Sequence, residues 1–70
     1  MSAWVIWSEL QFAWRQRLPS GIANGYTKAL ARAGLFEKAV AEATVARANS
    51  GCEPGEWIEW ALPDPLGRTI

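Results

Sequence analysis

Glu56 and Glu59 are the close carboxylate pair that invites an acid–base reading. On a helix their i,i+3 spacing puts both on one face. The surrounding residues supply no sign of burial or of a raised pKa, so the pair is expected to be two solvated charges. Cys52 follows a glycine and has no basic neighbour in sequence, which marks it as a passive small residue rather than a nucleophile. The chain has no His, which removes imidazole–metal sites and Ser-His or Cys-His nucleophilic pairs. Gly51 and Gly55 match neither phosphate-binding glycine pattern. The expectation is a non-enzyme with no cofactor and no metal.

The tryptophans carry what functional signal there is. Trp4, Trp7, Trp14, Trp57 and Trp60 cluster toward the two ends of the chain. Each can serve as core, because an indole buries 150–250 Å². A 70-residue chain can hardly bury all five, and surplus Trp at a surface marks binding hot spots. The expected protein-binding residues are therefore Trp57, Trp60, Glu56 and Glu59, an aromatic anchor with an acidic rim, together with Trp4, Trp7 and Trp14.

Size sharpens this. One domain of 70 residues buries about 60% of its unfolded surface and needs a dense core, a staple or a partner. A single Cys excludes an internal disulfide and fits a reducing compartment, so the cytoplasm is expected. The start of the chain has no signal-peptide pattern, and no apolar run approaches the ~18 residues of a membrane span. Formal net charge is zero, which disfavours nucleic acid and anionic lipid. The charge is split, however: residues 1–32 hold Arg15, Arg17, Lys28 and Arg32 against Glu9, and the excess of acid lies in residues 33–70. That split suits self-association, a dimer first. Twelve Ala, and five Arg against two Lys, suggest a GC-rich bacterial or phage genome.

These residues must be positioned by local elements. Residues 9–17 read as a helix, because Ser8 with Gln11 fits a capping box, Trp7 with Phe12 a hydrophobic staple, and Pro19 a stop. Pro19-Ser20-Gly21 is a turn. Asn24 is a possible N-cap for a helix over 25–33 with Tyr26, Ala29, Leu30 and Ala33 on one face, ended by Gly34 as a C′ glycine. A second helix spans 35–49 with a stripe of Leu35, Phe36, Ala39, Val40, Ala43 and Ala46. Asn49-Ser50-Gly51 stops it. Residues 53–62 read as a short helix beginning near Pro54, and 63–70 as a turn-rich tail free to move.

Ala33-Gly34, Phe36-Glu37-Lys38-Ala39 and Pro54, with GEWIEW after it, resemble one helix–turn–helix unit of the tetratricopeptide and pentatricopeptide repeats. The resemblance covers residues 25–54 and implies a helical hairpin only. The expected fold is mainly α: one domain over 1–70, an antiparallel hairpin of 25–33 and 35–49, packed by Trp-rich terminal helices. The alternative is a small α+β fold with strands at 3–7 and 57–62. The expected function is a small protein-binding module, self-associating or docked on a larger protein as inhibitor, adaptor or assembly factor, in the style of phage-encoded host-targeting proteins. Two alternatives stand beside it: membrane association through an N-terminal amphipathic helix, and weak single-stranded nucleic-acid binding through Trp stacking.

Overall fold

The computed structural model describes residues 2–70. It overturns the mainly α reading. Strands β1 (Trp4–Ser8), β2 (Ala13–Arg17) and β3 (Ala23–Thr27) precede helix α1 (Lys38–Ala48), and strand β4 (Glu59–Pro63) follows it. They form one antiparallel sheet in the order β3-β2-β1-β4. The strands β1 and β4 lie close to the segments of the α+β alternative. Single 3-10 turns cover Leu30–Arg32 and Pro54–Glu56.

The helix expected over 9–17 is half turn and half strand. Its start signals are real contacts in another setting. Ser8 Oγ accepts from the Gln11 N–H at 3.1 Å, and the Trp7 and Phe12 rings meet edge-on at 5.3 Å. They close the four-residue turn between β1 and β2 instead of opening a helix. Phe12 ends that turn at φ 52°, the left-handed region that non-glycine residues seldom occupy. Pairing decides the outcome: aromatic and β-branched side chains gain more from facing neighbours across strands than from a lone helix.

The hairpin of 25–33 and 35–49 is absent. Tyr26 and Thr27 pair with Arg15 and Trp14 in β3. Gly25, at φ 81°, sits where the β2–β3 register shifts, so Asn24-Gly25 forms a bulge and not a helix start. Residues 29–33 make only the 3-10 turn. Gly34 is not a helix C′ residue either. Beyond Trp7↔Trp14 the strands β1 and β2 part, and residues 34–36 enter between them. The Gly34 N–H donates to Arg15 O at 2.9 Å, and Phe36 exchanges two hydrogen bonds with Trp4 at 2.8 and 2.9 Å. A Cβ on Gly34 would lie 2.7 Å from both the backbone N and the Cβ of Arg17. Only glycine fits this wedge. The short helix expected over 53–62 is likewise a 3-10 turn followed by β4.

The core lies between the sheet and α1. Ile6, Phe36, Ala41 and Val45 form it, with Trp4, Ala23 and Ala61 packed against them. Ile6 and Phe36 are fully buried, each contributing on the order of 2 kcal/mol. The buried helix face is Ala41, Val45 and the C-cap Asn49, spaced four residues apart. The predicted stripe residues Ala39, Val40, Ala43 and Ala46 are exposed. Seven of the eleven helix residues are Ala or Val and they fall on every side, so periodicity does not select its inner face.

Residues 64–69 are tied to the body. Asp64 donates its N–H to Ala3 O, and Ala3 donates to Arg68 O. The Asp64 carboxylate accepts from the N–H groups of Leu66 and Arg68 and pairs with the Arg68 guanidinium at 2.7 Å. Arg68 also donates to Leu30 O and Ala31 O.

Candidate binding site

Strand alternation sorts the aromatic residues onto two faces. Trp4 and Ile6 face α1. Trp4 is partly buried and packs against the core, with Lys38 Nζ 5.4 Å from its ring centroid. Val5 and Trp7 point to the opposite face. The register places Trp60 and Trp14 on either side of Trp7, and Leu62 beside Val5. One row, Trp60–Trp7–Trp14, therefore crosses three adjacent strands on the face away from the helix.

The rings form two groups. Trp7 and Trp14 are half-buried and meet edge-on at 4.9 Å. Phe12 joins Trp7 from the turn and stays 67% exposed, with Lys28 Nζ 5.8 Å from its ring centroid. Trp57 and Trp60 are tilted against each other at 5.3 Å and are 41% and 40% exposed. Val5 on the same face is fully buried, so the open part is the Trp7 end.

The carboxylates part company. Glu56 is exposed at the end of its 3-10 turn. Glu59 is 3% exposed and faces α1, where Arg15 grips it through Nε at 2.6 Å and Nη2 at 2.7 Å. The hydrogen bond to Glu59 raises the Arg15 pKa against the opposing effect of burial. Glu59 therefore belongs to the interior and not to an acidic rim.

A cavity of about 410 Å³ runs along the free edge of β4, between Trp57, Trp60 and the α1 residues Glu42, Val45 and Ala46. A second groove of about 530 Å³ separates the outer side of α1 from β2 and β3. Phe12, Glu42 and Asn49 are site residues that sequence reasoning missed. For Phe12 the available signal was its spacing from Trp7, which the structure keeps as a ring contact. For Glu42 and Asn49 there was none, because their surroundings come from residues far along the chain.

Cys52 is a partly buried free thiol. Among the described residues no group of three or more His, Cys, Asp or Glu side chains is placed to hold a metal ion. No helix among them is long and apolar enough to cross a membrane. Comparison with protein-family models, with curated proteins and with solved structures found no match for this chain.

Proposed function

We propose that the chain is a non-catalytic binding module that docks on another protein through its aromatic sheet face. The observation that supports it is the Trp60–Trp7–Trp14 row, extended by Phe12 and Trp57, left partly open on the side of the sheet without a helix. Aromatic groups of this kind supply large contact area at little entropic loss and dominate interface energetics. Phe12, an exposed aromatic in a strained backbone conformation, is spent on presenting a ring and not on the core. The lone Cys52 suits work in a reducing compartment such as the cytoplasm.

The test is a native mass measurement of the pure protein and of material captured from lysate, repeated with Trp14→Ala and Phe12→Gly. Phe12→Gly relieves the backbone while removing the ring. Loss of the bound species in that variant, with circular dichroism unchanged, supports docking; a homodimer lost in the same way identifies the partner as a second copy. A bound species that persists in both variants overturns the reading.

A second reading has its own support. Indoles in a row on an open antiparallel sheet, with Lys28 over Phe12, suit stacking of unpaired bases. Quenching of Trp fluorescence by oligonucleotides, with affinity falling as salt rises, distinguishes it. The N-terminal amphipathic helix that the membrane reading invokes is a pair of strands.

A further inference from the structure

We propose that the cavity beside β4 is a site for an organic cation: a guanidinium or alkylammonium group on a partner's side chain. The inference rests on Trp57 and Trp60 being binding groups, and is independent of what covers Trp7 and Trp14. Trp57, Trp60, Val45, Ala46 and Glu42 line the cavity, with the two indoles tilted against each other at 5.3 Å. Among the described residues no basic side chain lines it. Three of the chain's own cations lie over other rings: Lys38 over Trp4, Lys28 over Phe12 and Arg15 over Tyr26. Among the described residues none lies over Trp57 or Trp60, and Glu42 is in no ion pair.

The chemistry follows from these groups. An indole face attracts a cation through its quadrupole, and guanidinium and methylated ammonium groups give up water most readily. Glu42 supplies the counter-charge, with Glu53 and Glu56 nearby in the chain before Trp57 adding to the negative potential. The Asn49 carboxamide also lines the cavity, but its oxygen and nitrogen are both bonded to β4 backbone. Glu42 is thus the lining group that carries charge. An isolated side chain should bind with a dissociation constant of roughly millimolar.

The experiment titrates the intact protein with acetyl-arginine amide, acetyl-trimethyllysine amide and, as a neutral isostere, acetyl-citrulline amide. The indole N–H signals of Trp57 and Trp60 are followed by NMR. The expected result is a saturable shift of both signals with at least one cation and none with citrulline; the stronger cation names the head group. Trp57→Leu should weaken binding about tenfold and Glu42→Gln several-fold. Glu42 is exposed, so its variant remains informative if Trp57→Leu fails to fold. Equal binding of citrulline, absence of saturation, or indifference to Glu42→Gln overturns the proposal. Phe12→Gly is expected to leave this titration unchanged, which separates it from the docking test.

Discussion

Asn49 acts as a missing strand for Glu59. Its Nδ2 donates to Glu59 O at 2.9 Å and its Oδ1 accepts from the Glu59 N–H at 3.0 Å, with the Ile58 N–H also bonding to Oδ1 at 2.9 Å. A side-chain amide at the C-cap of α1 thus satisfies the outward backbone groups at the start of β4. It pins the helix to the sheet and blunts an edge that would otherwise template pairing with another chain. Pro63, which has no N–H, blunts the other end.

Asn49→Ala should therefore destabilise the fold by about 2–3 kcal/mol, since buried backbone groups lose their partners. Urea unfolding measures this. The variant should also associate at high concentration, visible by light scattering, and Asn49→Asp should fall between the two because it keeps only the acceptor.

The Arg15–Glu59 pair lies under α1 and has a different signature. Arg15→Met strands the buried Glu59 charge and should lower stability by about 3 kcal/mol, and Glu59→Gln, which leaves the partly exposed Arg15, should cost less. The double variant Arg15→Met with Glu59→Leu should recover most of that loss. A double-mutant cycle in urea gives the coupling, and simple additivity would show that the two groups do not act as a pair.

Gly34→Ala places a methyl 2.7 Å from the backbone N of Arg17. Backbone must shift, so a loss of about 1–3 kcal/mol is expected. Gly55 has open space around a Cβ and no positive φ, and Gly55→Ala should be nearly neutral. Thermal melts of the two variants make the comparison internal.

Acid should loosen the tail. Hydrogen bonds from Arg68 hold the Asp64 carboxyl down to about 2 from its ordinary 3.8. The folded state thus favours the charged form. That stabilisation is fully present above about pH 4 and is lost as pH falls through 2. Asp64→Asn should flatten the stability profile between pH 4 and 2 and leave its slope near neutrality unchanged. Urea midpoints across that range measure it.

Several local features were legible in the sequence because they depend on a few adjacent residues. The turn at Pro19-Ser20-Gly21 is there, closed by Gly21 N–H to Leu18 O. The second helix is there as Lys38–Ala48, and it stops at Asn49 with Gly51 at φ 86°. The Ser8–Gln11 and Trp7–Phe12 contacts also formed, but in a turn between strands and not at a helix start. Of the site, the tryptophans were visible as surplus, and Trp57 and Trp60 do lie partly exposed.

What those contacts meant was decided elsewhere. A hydroxyl bonded three residues on, beside two touching rings, opens a helix or closes a hairpin equally well; cross-strand partners fifty residues away chose the hairpin. Glu59 looked like a surface charge until Arg15 was brought beneath it. Asn49 looked like a helix stop until β4 passed its side chain. The Ala-rich helix carried too little amphipathic contrast to name its buried face; the side that met the sheet is the one whose Ala41 and Val45 pack with Ile6 and Phe36. The sequence by itself determined turns, one helix and a chemistry without histidine, because these follow from short-range bonding and residue type. The sheet, the buried ion pair and the sorting of the tryptophans into core and surface came only with the tertiary structure, because each depends on long-range partners that no local pattern encodes.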